Sequence, residues 1–393
     1  MSWPKVRLGD VGTLIRGKGI KRSETCATGK PCIRYGEIYT SFNVLLDKPR
    51  SFVDDALFDD CPHIKKGDLV LTLTGENKEE IAKTLCYLGD EEIAAGGDLA
   101  IWSGHGCDPK FLAYLMYSPA MIKAKADASN GHIVVHASVK KLQDIEIPLP
   151  SLAEQKKIVE KVEKALKRVD ALKAQFERLE KSAADYFKAA LAETFAAVKG
   201  EKVKLGDVCE TISVGIVIRP TRYYTAKGIK AFRNTNIRAC EIRDDDWVQV
   251  TDAAINENPR CEVKMGDVVI ARSGLPGTAA AVTSAYDGFA AVDILIAKPI
   301  AARADYHYLA YAINTSEAQR QIKKMNNGVA QAHIGVNSVS SLLLTLPAKE
   351  SQKAVVDALD AAKSKSERMV TAARRGIAIC GKMRKAILAE AFQ

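Results

Sequence analysis

The chain has 393 residues and a mass of 42.7 kDa, which excludes one small domain and leaves room for two or three ordinary ones. Its 47% hydrophobic and 27% charged content, with 26 Gly and 13 Pro, excludes a disordered or collagen-like chain. The net charge of +9 admits a polyanionic partner, but the surplus sits mostly in two helical stretches: residues 151–200 carry 11 Lys and Arg against 8 Asp and Glu, and 347–393 carry 10 against 5. Lys-rich helices commonly present solvated faces, so the total alone is weak evidence for DNA.

No apolar run approaches the ~18 residues needed to cross a bilayer, and the opening MSWPKVRLGD lacks the apolar stretch of a secretory signal. A cytoplasmic location is the expectation, with no membrane partner. The nine cysteines are scattered without a C-x-x-C pair, which argues for reduced thiols rather than a disulfide framework or a structural zinc site.

Taken in chain order, the elements come twice, about 197 residues apart. Lys5-Val6-Arg7-Leu8-Gly9-Asp10-Val11 returns as Lys202-Val203-Lys204-Leu205-Gly206-Asp207-Val208. Ile64-Lys65-Lys66-Gly67-Asp68-Leu69-Val70 returns as Val263-Lys264-Met265-Gly266-Asp267-Val268-Val269, two residues out of phase. The phase then recovers, pairing Asn130-Gly131 with Asn327-Gly328, His136 with His333, Leu149-Pro150 with Leu346-Pro347 and Gln155 with Gln352. Within each copy, short β-branched runs alternate with Gly- and Pro-bearing turns, and short helices are expected near 110–125 and 305–325.

A long helix closes each copy. After Pro148-Leu149-Pro150, Ser151 and Glu154 have the spacing of a capping box. Apolar residues follow at Ile158, Val162, Ala165, Val169, Leu172, Phe176, Leu179 and Ala183, a four-three alternation that favours a coiled-coil partner. The second helix runs from about Lys349 through Val356, Leu359, Met369, Ala373, Ile377, Cys380, Met383 and Ile387, and keeps Gln352 but carries Ser351 where Glu154 stands. At 1.5 Å per residue each helix would be roughly 68 Å long, too long to bury against a 150-residue globule. The two helices are therefore expected to pair antiparallel, rather than each folding back on its own globule. The fold class read from this is α+β, two pseudo-twofold-related α/β globules separated by two long antiparallel coiled-coil helices. The boundaries are 1–150, 151–199, 200–347 and 348–393.

Basic stretches follow the Leu-Gly-Asp opening in both copies. Between 16 and 34 lie Arg16, Lys18, Lys21, Arg22, Lys30 and Arg34 against one acid, and between 219 and 243 lie Arg219, Arg222, Lys227, Lys230, Arg233, Arg238 and Arg243 against Glu241. Tyr35, Tyr223, Tyr224, Asn234 and Asn236 are interleaved. Arg grips guanine edges bidentately, Asn does the same for adenine, and Lys neutralises phosphate. Arg34 matches Arg233 and Tyr35 matches Asn234, while Thr74, Asn77 and Lys78 after one Gly-Asp strand face Arg272 after the other. Equivalent positions with different side chains are what two readers of different half-sites should show. These are the candidate DNA contacts; the bland reading of each stretch is a solvated loop.

Other chemistries fail on spacing. Gly12-Thr13-Leu14-Ile15-Arg16-Gly17-Lys18 imitates a phosphate-binding loop, but Gly19 stands where Ser or Thr must hold magnesium. His132 and His136 enclose no Glu in an H-E-x-x-H arrangement, and Cys26, Cys32, Cys61 and His63 are irregular and unmatched in the second copy. No metal and no cofactor is expected, nor does any methyltransferase motif or nuclease carboxylate set occur in the chain.

The string IPLPSLAEQKKIVEKVEKAL at 147–166, the openings WPKVRLGDVGTLIRG and EKVKLGDVCETISVG, and the GDLVLT and GDVVIA strands together resemble the specificity subunits of type I restriction-modification systems. The resemblance covers the whole chain. It implies two target-recognition domains that each read half of a bipartite target in double-stranded DNA, with helices that set the spacing and no catalysis in this chain. It also implies two methyltransferase subunits, which bind S-adenosylmethionine, and a restriction or translocase subunit that can join. Helix packing and partner docking then fall to Ser151, Glu154, Gln155, Ile158, Val162, Val169, Leu172, Phe176, Gln352, Val356, Leu359 and Ile377. The opposing reading is a coiled-coil adaptor that bridges two protein partners without binding DNA.

Overall fold

The structure is a computed structural model that describes residues 3–41, 44–131, 134–325 and 333–392. His132 and the pair Asn327-Gly328 lie outside the described residues. Two compact units form, one of Met1–Glu177 with Arg374–Gln393 and one of Arg178–Ala373.

In the first unit the strand Leu69–Thr72 is buried at all four positions, because it lies between Leu99–Ser103 and Thr84–Tyr87 in a five-stranded sheet whose far edges are Thr13–Arg16 and Leu45–Leu46. A four-stranded sheet runs Ser51–Val53, Lys30–Ile33, Ile93–Ala95, His63–Ile64. Thr13–Arg16 being an edge strand, the phosphate-loop imitation at 12–18 lacks the helix start that such a loop needs. In the second unit the equivalent sheet runs Cys209–Val214, Ile294–Pro299, Val268–Ala271, Ala279–Ala281.

The repeat extends to atomic detail. Lys5–Arg7 pairs antiparallel with Glu146–Pro148, and Glu201–Lys204 with Leu343–Leu346. Gly67 and Gly266 adopt φ +91 and +94, a left-handed region open to glycine, and the next residue closes the turn each time. Asp68 accepts from the Lys65 amide and Asp267 from the Lys264 amide, both at 2.8 Å. Burial pushes both carboxyls up, the cost of tying these turns to buried strands.

The first long helix spans Leu152–Ala197 and the second Lys349–Ala391. The capping box forms: the Ser151 amide donates to Glu154 Oε2 at 3.0 Å and the Glu154 amide donates to Ser151 Oγ at 3.4 Å. The helices pack together antiparallel in both units. In the first, Arg384 pairs with Asp170 and Gly376 lies against Phe176; in the second, Ser366 Oγ donates to the Ala183 carbonyl at 2.7 Å and Lys365 lies over the Tyr186 ring.

One detail differs from the sequence pattern. The buried stripe at the start of the first helix passes through Val159, Val162, Leu166 and Val169, leaving Ile158 and Ala165 half-buried. The reason is that these turns pack first on the globule: Val159, Val162 and Leu166 join Trp102, Phe111, Leu112 and Ile147 in one core, with Leu388 of the second helix. Val355, Val356 and Leu359 join Tyr308, Leu309 and Leu344 in the same way, with Leu191 of the first helix. Met383, expected in the seam, is exposed. Leu172, Phe176 and Ile377 are half-buried.

Gly376 marks a close approach of the helices in the first unit, since a Cβ built there would stand 2.5 Å from three ring carbons of Phe176. A helical Gly→Ala change normally stabilises by about 1 kcal/mol. Here the ring must leave its seat, and overpacking costs about 1–3 kcal/mol. Gly376→Ala is expected to lower the melting temperature, and Phe176→Ala in the same chain to remove that penalty; a Gly376→Ala chain that melts higher than its parent would refute the contact.

Candidate nucleic-acid interface

In the first unit the strand Thr13–Arg16 delivers a loop whose root is pinned by Gly17 N to Leu99 O at 2.8 Å and Lys18 N to Ala95 O at 3.1 Å. The pinning requires glycine: a Cβ on Gly17 would stand 2.2 Å from the Gly96 carbonyl oxygen. The loop then lies beside Arg34 and Tyr35. Arg34 precedes the short helix Tyr35–Thr40, and its amide donates to Glu37 Oε2 at 2.9 Å. The result is a cleft of about 510 Å³ lined by Arg16, Lys18, Lys21, Arg34, Tyr35 and Asp98. A neighbouring cleft of about 530 Å³ is lined by Arg16, Thr74, His136 and Ser138, with Thr74 Oγ1 and His136 Nδ1 3.2 Å apart.

Five candidate residues are thus brought together: Lys18, Lys21, Arg34, Tyr35 and Thr74. Arg16, a member of the first basic stretch, lines both clefts because it ends the edge strand Thr13–Arg16. Cations there outnumber acids, although Arg16 is 3.5 Å from Asp98 and Lys18 pairs with Asp60. Lys21 and Arg22 are exposed. Asn77 and Lys78 line neither cleft; Asn77 Oδ1 accepts from the Glu80 amide at 2.9 Å and Lys78 is exposed.

The second unit builds the same framework with other side chains. Gly215 N donates to Ile294 O and Ile216 N to Ala291 O, at 2.9 and 2.8 Å. Arg233 stands as Arg34 does, its amide held by Asn236 Oδ1 at 2.9 Å, and in both residues Nε is buried without a hydrogen-bond partner. The guanidinium reaches Asp246 Oδ2 at 2.8 Å. Where Tyr35 presents an exposed ring, Asn234 is spent internally: Oδ1 accepts from the Arg272 and Ser273 amides at 2.7 and 3.2 Å, and Nδ2 donates to Asp293 O at 3.0 Å. Arg272 pairs with Asp293 at 2.5 Å.

Two candidates of this unit lie inside the protein. Tyr223 is 3% exposed, its hydroxyl 2.7 Å from Glu257, and Asn236 is 1% exposed, its amide nitrogen donating to the Asp245 carbonyl at 2.9 Å. Both shape loops rather than offer a free polar group. Arg222 stacks on the Tyr223 ring and pairs with Glu257, while Arg219 and Tyr224 face solvent. Among the described residues no group of three or more His, Cys, Asp or Glu could hold a metal ion, and no helix is long and apolar enough to cross a membrane.

Residues 2–181 and again 198–369 match the type I restriction modification DNA specificity domain family. The chain is 27% identical over 189 residues to the type I restriction enzyme MjaVIII specificity subunit of Methanocaldococcus jannaschii, covering 46% of this chain and 43% of that one. It is 23% identical to the EcoBI specificity subunit of Escherichia coli over 70% of this chain and 63% of that one, so each match spans less than two thirds of the relative's length. The StySPI specificity subunit of Salmonella potsdam is 21% identical over 100% of this chain and 88% of that one. The fold is similar to that of a solved chain of a type I R-M system, with TM-score 0.73 at 18% identity, covering 100% of this chain and 98% of that one. It is also similar to the HsdS subunit from Thermoanaerobacter tengcongensis, with TM-score 0.56 at 19% identity over 100% and 96% of the two chains. With its family domain present twice, the chain belongs to the type I restriction modification DNA specificity family.

Proposed function

We propose that this chain is the non-catalytic DNA-reading subunit of a type I restriction-modification complex, each recognition domain reading one half of a bipartite duplex target. The observation that carries the reading is one loop framework built twice with different side chains: Arg34 and Tyr35 in one unit stand where Arg233 and Asn234 stand in the other. A shared framework suits a common ligand, and divergent side chains suit two base sequences. The long helices space the half-sites and offer docking faces to two methyltransferase subunits, which bring S-adenosylmethionine; this chain needs no cofactor and works in the cytoplasm.

The test is to co-express the chain with its methyltransferase and map methylated adenines by single-molecule sequencing. A split motif is expected, whose halves change separately when residues 1–146 or 201–343 are exchanged. Binding of the complex to duplex should fall linearly in log K against log salt, with a slope set by the phosphates neutralised. A competent, bound methyltransferase that yields no new motif, with binding indifferent to salt, would instead favour an adaptor between proteins.

A further inference from the structure

Ile218 is 82% exposed, more than any other large apolar side chain among the described residues, and its neighbour Val217 is exposed as well. Leaving an isoleucine in water forgoes about 1.5–3 kcal/mol of burial, so a tip held in this position invites a partner. The holding is firm. On one side Ile216 is buried and its carbonyl accepts from Asp293 N at 3.1 Å. On the other, Arg219 takes φ +45 and ψ 54 and starts the turn Pro220–Tyr223, whose last residue is buried. That left-handed conformation is uncommon for a non-glycine residue.

The first unit treats the equivalent loop differently. After the same pinned root come Gly19, Ile20 and Lys21, and Ile20 packs against the cluster of Cys32, Val53, Cys61 and Ala94. One copy turns its isoleucine inward and leaves lysines facing the cleft; the other turns it out. In the chain, residues 215–230 that carry the exposed tip contain Arg219, Arg222, Lys227 and Lys230 and no Asp or Glu; Arg222 pairs with Glu257, while Arg219, next to Ile218, faces solvent.

We propose that Ile218 is a wedge that inserts between base pairs in the half-site read by the second unit; this rests on the DNA-reading function above. The partner must be anionic around its rim and apolar at the point of contact. A duplex meets both conditions, with phosphates flanking stacked base faces, and apolar residues inserted at a base step kink the helix and widen the contact. Discrimination at that step then comes from the cost of unstacking it and needs no hydrogen bond.

The experiment uses the assembled complex with its methyltransferase and duplexes of the mapped target, with a fluorescent base analogue stepped through the second half-site and a bend read by energy transfer between the duplex ends. Binding should raise fluorescence at one step and bend the duplex. Ile218→Ser should abolish both signals and weaken target binding about tenfold while leaving non-specific affinity and salt slope unchanged, and Ile218→Met should retain both signals. Tight target binding with no unstacking at any position overturns the wedge and leaves the DNA reading intact. Unchanged DNA signals with loss of methyltransferase from the Ile218→Ser complex overturn it in favour of a protein contact. Failure of the unaltered complex to prefer its target overturns both.

Discussion

Replacing Gln155 or Gln352 with Leu is expected to destabilise the unit that contains it by about 2–5 kcal/mol, since each buried group left without a partner costs about 1–3 kcal/mol. The two residues are 2% and 1% exposed and do the same job in the two copies. Gln155 Oε1 accepts from the Asp108 amide at 2.8 Å and Nε2 donates to the Pro150 carbonyl at 2.9 Å. Gln352 Oε1 accepts from the Asp305 amide at 2.7 Å, and Nε2 donates to the Arg303 and Pro347 carbonyls at 2.9 and 3.0 Å. Asp108 and Asp305 are the N-caps of Pro109–Leu115 and Tyr306–Ile313, so one amide side chain ties the first turns of a long helix to a helix of its globule. Leucine fits the volume but leaves a buried N–H and at least one carbonyl unpaired. Chemical denaturation measures the loss, and hydrogen exchange at the Asp108 amide locates it. A Gln155→Leu chain within 0.5 kcal/mol of its parent, as about the scatter of a neutral surface change, would show that water replaces the side chain at no cost.

Lys125 predicts a pH dependence of similar size. It is 3% exposed, donates to the Ala82 carbonyl at 3.0 Å and stands 5.5 Å from the Tyr117 ring centre. Burial lowers its pKa to about 7. In the unfolded chain an ordinary lysine titrates near 10.4, so between about 7 and 10 the unfolded state holds the extra proton. Stability of the first unit is therefore expected to rise with pH across that window, by up to about 1.4 kcal/mol per pH unit, and to be flat in this residue below it. Lys125→Met should flatten the rise and raise stability at pH 7, where Thr84 Oγ1 still donates to the Ala82 carbonyl at 3.0 Å. Denaturant midpoints at pH 7 and 9.5 for both chains decide it: an identical slope in the two rules out Lys125 as the source.

The sequence shows what depends on neighbours in the chain. The Ser151–Glu154 cap, the Gly67-Asp68 and Gly266-Asp267 turns and the two long helices are local, and the repeat exposes them because each must close the same way twice. Which side of a helix faces the globule is not local. Val159 and Leu166 are buried in place of Ile158 and Ala165 because the globule claims the first turns before the partner helix does. The same holds in the candidate interface. Asn234 reads as a base contact by residue type, yet its amide is used by Arg272, Ser273 and Asp293, 38, 39 and 59 residues away. Tyr223 is drawn inward by Glu257, 34 residues on. Arg16 and His136, far apart in the chain, share one cleft with Thr74.

The way the compact units divide the chain orders the completion of its two cores. Residues Arg178–Ala373 form one continuous stretch, whereas Met1–Glu177 share a unit with Arg374–Gln393. Leu388 and its half-buried neighbours Ile387 and Phe392 belong to the core built on Trp102 and Phe111. At about 5–20 residues per second, the ribosome needs roughly 10–40 s to make the intervening stretch. Throughout that time the first globule waits with an apolar face uncovered, whereas the second has every residue of its own core as soon as Leu359 is made. The first unit to begin is the last to finish, and its nascent form is the one that an attending chaperone would hold.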